Sequence, residues 1–174
     1  MAASLSAAIA SYLVARGETV AVAETTAGGL IAASLVEVVG ASTWFLGSAV
    51  AYSAEAKSTW LKASPEVLGA AGVVSTVGAQ TLAEAARRSL HATWGLAETG
   101  IAGPQTGRRS AKQVGLVYVA VSGPISAAKE IRTGLDGRTE NQRAFATAAL
   151  QLLDEALRLA PSTGSLGHSS QSDR

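Results

Sequence analysis

Three side chains within residues 40–57 have the chemistry of a proton-transfer centre: Ser42, Tyr52 and Lys57, at spacings of ten and five. A hydroxyl that attacks a substrate needs a base to take its proton. Lysine can be that base once burial or a nearby cation lowers its pKa from roughly 10.4, and tyrosine can relay a proton or donate to an oxyanion. The segment indicates a small hydrolase. A solvated lysine, a core tyrosine and a turn serine are the alternative interpretation of the same spacing.

The chain offers few other groups for catalysis. It has no cysteine, which excludes disulfides and thiolate chemistry, and only two histidines, His91 and His168, which we expect at the surface. Phosphate-loop, dinucleotide-binding and zinc-protease motifs are absent from the sequence, and no pair among the 13 acidic residues has metal-ligand spacing. A lysine-activated hydroxyl is the chemistry that these exclusions leave.

Two glycine-containing turns form a second signal. Gly28-Gly29 and Thr99-Gly100 each follow an apolar run, and backbone N–H groups in such turns suit a phosphate or an oxyanion. Either turn alone is explained by the freedom of glycine to bend. The two together favour a small anionic ligand, for which Arg138, just before the last helical segment, is a candidate counter-charge.

Short apolar runs alternate with helical segments, the pattern of an α/β protein. Ser64 and Ser75 are predicted to begin helices as caps, Gly17 to end the first helix, and Thr139 with Gln142 to form a capping box. We expect strands at 19–23, 47–53, 94–99 and 114–122 and an antiparallel edge strand at 128–133. The expected helices are a first one that ends near Gly17, a second at 30–38, short ones that begin at Glu55 and at Pro65, a longer one from Ser75 to about His91, and a last one at 138–159.

Composition sets the class of the protein. A chain of 174 residues, 48% hydrophobic, is long enough for one buried domain, predicted at 1–160, and the polar segment 161–174 is predicted to be disordered. A net charge of +1 provides no electrostatic footprint for nucleic acid. No run of about 18 apolar residues occurs, so we expect no membrane partner and a cytoplasmic protein.

Six motifs follow one another in the order and spacing of a known family: AETTAGGL (23–30), GASTWFLG (40–47), AYSAEAK (51–57), GVVS (72–75), TGIAGP (99–104) and VGLVYVA (114–120). Over about residues 5–158 the chain resembles the CinA C-terminal domain family, the nicotinamide mononucleotide deamidases. The resemblance implies hydrolysis of the carboxamide of nicotinamide mononucleotide, without metal or organic cofactor. It also implies a homo-oligomer and a three-layer α/β/α sandwich with a mostly parallel mixed sheet.

The resemblance also assigns roles to residues. The family's catalytic serine, tyrosine and lysine are matched to Ser42, Tyr52 and Lys57, and its substrate contacts to Thr25, Thr99, Gly100 and Arg138, beside the Gly28-Gly29 turn. The family's usual AESCTGG reads AETTAGG here, which changes the ligand-binding shell. Two alternatives therefore stand beside the amidase: a non-catalytic module that binds a pyridine nucleotide, and an amidase for a different small amide.

Overall fold

The computed structural model of the protein describes residues 4–104 and 111–161. The polar segment 105–113, predicted from the sequence to be a surface loop, falls partly outside these residues, and the predicted disordered tail 161–174 falls almost entirely outside them. The helices within them are α1 (Leu5–Arg16), α2 (Leu30–Val36), α3 (Ala54–Trp60), α4 (Pro65–Ala71), α5 (Thr76–Ser89) and α6 (Arg138–Leu159), with a 3-10 helix at Ala41–Thr43. The strands are β1 (Val20–Glu24), β2 (Phe45–Val50), β3 (Trp94–Ile101), β4 (Leu116–Ser122) and β5 (Ala127–Arg132).

The strands form one mixed sheet in the order β2-β1-β3-β4-β5. Strand β1 pairs in parallel with both β2 and β3, whereas the β3–β4 and β4–β5 pairs are antiparallel. The carboxyl ends of β1, β2 and β3 therefore meet at one end of the sheet. In open α/β sheets ligands usually bind outside these carboxyl ends.

Helices cover both faces of the sheet, which confirms the predicted α/β/α layering. Buried residues of α1, α2 and α6 join one apolar cluster with the side chains of Val22 and Leu96, and those of α4 and α5 join a second cluster with Ala23 and Ala97. Consecutive strand residues enter opposite clusters because side chains alternate across a strand. None of the described helices combines the length and the apolar character that crossing a bilayer requires.

Local capping chemistry places most helix ends where the sequence predicts them. Ser64 and Ser75 accept the N–H groups of the third residue beyond them, and Gly17 ends α1 with a left-handed φ of 63°. The predicted capping box at α6 is wrong: the helix starts after Gly137 without a side-chain cap. Gln142 donates instead to the carbonyl oxygen of Thr26, at 3.0 Å, and so ties α6 to the turn after β1.

Candidate active site at the carboxyl end of the sheet

Two segments converge where β1 and β2 end. Because the strands are parallel, residues that follow them emerge side by side, and the N–H of Ala51 donates to the carbonyl of Glu24 at 2.9 Å. Since Glu24 lies opposite Val50 in the register of this pair, Thr25 and Ala51 leave the sheet at the same level. The AETTAGG turn and the AYSAEAK segment thus form one site, although more than twenty residues separate them along the chain.

Lys57 lies on the first turns of α3, whose N-terminus is capped by Ser53. Lys57 is only 4% exposed, and its Nζ donates to the carbonyl oxygens of Tyr52 at 2.8 Å and Ser53 at 3.4 Å. Burial lowers the pKa of this ammonium, and the negative charge of Glu98 partly opposes that effect. Such an environment favours the neutral amine that a general base requires.

Tyr52 and Arg138 form the exposed side of the site. Tyr52 is 64% exposed, and its hydroxyl accepts a hydrogen bond from a terminal nitrogen of Arg138 at 3.3 Å. Arg138 is the first residue of α6, where the helix dipole disfavours a cation. A Cβ on Gly103 would lie 3.0 Å from Cβ of Arg138, so the glycine leaves room for this side chain. A guanidinium kept there despite the dipole suits an anionic ligand.

Ser42 does not belong to this site. It lies exposed in the 3-10 helix Ala41–Thr43, before β2, whereas Tyr52 and Lys57 come after that strand. The six residues of β2 span about 16 Å at roughly 3.3 Å per residue. The prediction that Ser42, Tyr52 and Lys57 converge is therefore corrected. A serine before a strand and a lysine after it must lie at opposite ends of the sheet. The order of these residues along the sequence therefore already indicated that they are far apart.

The hydroxyl that does lie at the carboxyl ends is Thr25. Its Oγ1 is 3.2 Å from the carbonyl oxygen of Glu98, to which it donates, and 3.2 Å from Oγ1 of Thr26. Thr26 in turn donates to the carbonyl of Gly100 at 2.9 Å and accepts its N–H at 3.2 Å. These bonds fasten the turn to β3. Thr25, predicted as a substrate contact, is thus a buried hydroxyl at the same end of the sheet as Lys57.

The amides of the glycine turn are occupied by the protein itself. Glu24 accepts the N–H groups of Gly29 at 2.8 Å, Ile31 at 3.1 Å and Ala32 at 3.0 Å. The prediction that Gly28-Gly29 binds an anion is therefore wrong for Gly29, because its N–H already donates to the Glu24 carboxylate. Both glycines have positive φ, 69° and 102°, so their role is to turn the chain sharply between β1 and α2.

Thr99 and Gly100 lie within β3 and not in a turn after it, which corrects the second predicted anion site. Thr99 is buried, and Gly100 pairs with Val117 of β4. A Cβ on Gly100 would approach the carbonyl oxygen of Leu116 to 2.6 Å and a ring carbon of Phe145 to 2.9 Å. Glycine is needed there for close packing of β3 with β4 and α6.

Sequence reasoning missed Glu98, a fully buried acid of β3 beneath the Thr25 turn. Burial raises the pKa of its carboxyl to about 7, hydrogen bonds from the N–H groups of Ala27 and Thr25 counteract that effect, and the nearby charge of Glu24 adds to it. The sequence did offer one indication of this role, an acidic residue inside the apolar run WGLAETGI. Acidic residues are rarely buried in proteins without a partner.

No group of three or more histidine, cysteine or acidic side chains in the described part of the chain is placed to hold a metal ion. His91 is exposed at the end of α5, as expected, and His168 lies outside the described residues.

Comparison with known proteins agrees with the fold. The profile of the CinA C-terminal domain matches residues 2–157. A CinA-like protein of Synechococcus elongatus is 40% identical over 156 residues, and one of Anaeromyxobacter sp. strain Fw109-5 is 44% identical over 154 residues; each match covers 88% of this chain and 37% of the relative. The chain thus spans little more than a third of the length of these curated relatives.

Solved structures of similar length show the same architecture. The competence/damage inducible protein CihA from Agrobacterium tumefaciens superposes with a TM-score of 0.81 at 37% identity, over 88% of this chain and 93% of that one. The competence damage-inducible protein A from Klebsiella pneumoniae superposes with a TM-score of 0.82 at 28% identity, over 90% and 97% of the two chains.

Proposed function

The chain belongs to the CinA C-terminal domain family, and on that premise we propose that it hydrolyses the carboxamide of nicotinamide mononucleotide to nicotinate mononucleotide and ammonia. The observation that carries this proposal is the buried Lys57 at the end of the sheet where the Thr25 hydroxyl also lies. A buried amine and a hydroxyl at the same end of the sheet are the minimum equipment for attack on an amide.

In this proposal Thr25, in place of Ser42, is the attacking hydroxyl, because Thr25 lies at the same end of the sheet as Lys57. Oγ1 of Thr25 bonds to the carboxamide carbon as its proton passes to the neutral amine of Lys57. When the tetrahedral oxyanion collapses, the C–N bond breaks and Lys57 returns the proton to the departing nitrogen, which leaves as ammonia. Water then attacks the resulting ester, Lys57 again transfers the proton, and Thr25 is released together with nicotinate mononucleotide.

Tyr52 and Arg138 bind and orient the substrate in this proposal. The guanidinium of Arg138 provides planar donors for the phosphate group, and the N-terminal amides of α6, which begins at Arg138, are further donors in this proposal. The hydroxyl of Tyr52 accepts from Arg138 and keeps its own proton to donate to the oxyanion. The residues present need no metal or organic cofactor for these steps.

The decisive experiment measures ammonia released from nicotinamide mononucleotide by the purified protein and identifies the product by mass spectrometry. Turnover that disappears in Lys57→Ala, with the circular dichroism spectrum unchanged, is the expected result. An absence of turnover by the folded wild-type protein at saturating substrate would reject the proposal.

A non-catalytic pyridine-nucleotide-binding protein is the second candidate. It is favoured by the bonding of the Thr25 hydroxyl to the carbonyl of Glu98, which turns its proton away from a base. Thermal stabilisation by nicotinamide mononucleotide without any ammonia would support this candidate. The added methyl group of Thr25 also motivates a third candidate, an amidase for another small amide, which a panel of free and nucleotide amides would reveal.

The proposal includes a homo-oligomer in the cytoplasm, where a nucleotide substrate is available. Strand β2 forms one edge of the sheet, and apolar side chains along and near it are partly exposed: Leu46, Val50, Trp60 and Leu90. An edge with unpaired backbone groups and apolar side chains is suited to pairing with a second copy. Light scattering coupled to gel filtration measures the mass of the assembly.

A further inference from the structure

The first turn of α6 contacts the ends of all three parallel strands. Asn141 and Gln142 follow Arg138 by three and four residues, so the three side chains share one face of the helix. They hydrogen-bond to residues that come one or two positions after β2, β3 and β1: Arg138 to Tyr52, Asn141 to Ala102 and Gln142 to Thr26. The start of α6 is thereby fixed across the end of the sheet where the candidate site lies.

Asn141 is the most deeply buried of these three residues, with none of its surface exposed. Its Nδ2 donates to the carbonyl oxygens of Ala102 and Leu135, each at 2.9 Å, and its Oδ1 accepts a hydrogen bond from the hydroxyl of Thr133. Two carbonyl oxygens and a hydroxyl need a group with two N–H donors and one acceptor, which a side-chain amide provides. The hydrogen-bond partners of Asn141 therefore determine how its amide is oriented.

The start of α6 has no side-chain cap after Gly137, so its position depends on contacts made from within the helix. The N–H of Asn141 donates to the carbonyl oxygen of Gly137 at 2.9 Å and closes the first helical turn. The side chain of Asn141 joins this turn to Ala102, which follows β3, and to Leu135, which lies between β5 and α6. Asn141 thus ties the helix start to both neighbouring segments.

The peptide that Asn141 binds is also the one along which Arg138 lies. The carbonyl of Ala102 belongs to the peptide bond with Gly103. A Cβ on Gly103 would lie 3.0, 3.3 and 3.6 Å from Cβ, Cγ and Cδ of Arg138, so the aliphatic part of this side chain runs over the glycine. We infer that Asn141 is a positioning residue, which fixes the helix start against this peptide and so holds the Arg138 guanidinium at the Tyr52 hydroxyl.

Apolar packing holds the rest of α6. Buried apolar residues from Phe145 to Leu157 belong to the cluster that also contains side chains of β1 and β3. These contacts are independent of the Asn141 amide. Removal of the amide should therefore loosen the first turn and leave the remainder of the helix in place, whereas loss of a residue needed by the whole helix would loosen all of it.

This inference rests on the proposed function for the role of Arg138 in binding phosphate, but its test needs no substrate. Asn141→Ala removes the side-chain hydrogen bonds, and ¹⁵N relaxation of the arginine Nε groups measures how tightly each guanidinium is held. The order parameter of Arg138 should fall to that of Arg143, an exposed arginine of the same helix. Arg158, which has its own ion pair near the end of α6, should keep its value.

The matched control variant is Gln151→Ala, which removes an exposed amide from the same helix. This variant should leave the order parameter of Arg138 unchanged. An Arg138 value in Asn141→Ala equal to that in wild type, or an equal fall at Arg158, overturns the inference.

A second variant covers the case in which Asn141→Ala does not fold. Thr133→Val keeps the size of the side chain and removes the hydroxyl that donates to Asn141. Asn141 is the single asparagine of the chain, so selective labelling gives one side-chain amide signal. Protection of this amide from solvent exchange should fall in Thr133→Val, and the Arg138 order parameter should fall with it. Loss of protection at Asn141 without any change at Arg138 contradicts the inference.

Kinetics separate this inference from the proposed function. If the wild type releases ammonia, Asn141→Ala should raise KM for nicotinamide mononucleotide by roughly 10- to 100-fold, as expected for Arg138→Ala, and largely retain kcat. Because both substitutions act through one contact, the double variant should bind no more weakly than Arg138→Ala alone, and additive losses would overturn the inference. An Arg138 guanidinium released by Asn141→Ala in a protein without turnover would reject only the proposed function.

Discussion

Arg138 donates a hydrogen bond to the hydroxyl of Tyr52 at 3.3 Å, across 86 residues of sequence. The bond joins the start of α6 to the segment that follows β2 and closes one side of the site around Thr25 and Lys57. This hydrogen bond fixes the position of the Arg138 guanidinium at the start of α6 and of the exposed Tyr52 ring.

Replacement of Lys57 by alanine should lower kcat for ammonia release by about 10³-fold, the usual scale of a general base. Binding of nicotinamide mononucleotide, measured by calorimetry, should be largely retained. Lys129→Ala is the control, because Lys129 lies on β5, the edge strand opposite β2, where it forms an exposed ion pair with Glu155. Comparable losses in both variants would argue against a specific role for Lys57.

The Thr25 and Ser42 hydroxyls make opposite predictions. Thr25→Ala should abolish turnover, and Thr25→Ser, which keeps the hydroxyl, should preserve it. Ser42→Ala should leave kcat and KM close to wild-type values, since Ser42 is exposed at the other end of β2. Steady-state kinetics of the three variants decide the matter, and a large loss in Ser42→Ala alone would reverse the assignment.

Arg138→Ala should raise KM for nicotinamide mononucleotide by roughly 10- to 100-fold, the cost of losing a charge-assisted contact. The same change should have little effect on the corresponding nucleoside, which lacks the phosphate. Arg143→Ala serves as the control because Arg143 is exposed on the same helix. If Arg138→Ala weakens the binding of the nucleoside as much as that of the nucleotide, Arg138 does not bind the phosphate.

The free energy of unfolding should depend on pH through Glu98. The folded state holds this proton up to a pKa of about 7, against 4.5 for an unperturbed glutamate. Between these values the folded state binds the proton more tightly, so the stabilisation present below pH 4.5 is lost as pH rises through 7. The loss is about 3 kcal/mol. Urea unfolding at pH 5 and pH 8 should show it in wild type and not in Glu98→Gln; parallel curves would contradict this assignment.

Gly100→Ala should destabilise the protein by about 1–3 kcal/mol, because a methyl group would be forced against the Leu116 carbonyl and the Phe145 ring. Gly69→Ala is a matched control within α4, where a Cβ meets nothing within 4 Å, and helix propensity there favours alanine by about 0.5–1 kcal/mol. Thermal unfolding of both variants should give shifts of opposite sign. Similar midpoints would show that β3 and β4 can separate to admit a side chain.

Much of the local structure follows from the sequence alone. Residues 138–159 are the bounds of α6 both in the prediction and in the structure, and Ser64, Ser75 and Gly17 end or begin helices as predicted. These features depend on side chains within a few residues of one another, such as a serine hydroxyl and the N–H of the third residue beyond it. Short-range chemistry of this kind is already specified by neighbours in the chain.

The site required the tertiary structure. Whether Ser42 or Thr25 lies at the same end of the sheet as Lys57 depends on the direction in which β2 runs and on the strand with which it pairs. Glu98 gains its role only because β3 lies next to β1, which places its carboxyl under the amides of Thr25 and Ala27. Gln142, a predicted helix cap, instead reaches Thr26 across the fold. Residue types and motif order were determined by the sequence, whereas the distances and charges that make them one site arise from contacts between distant segments.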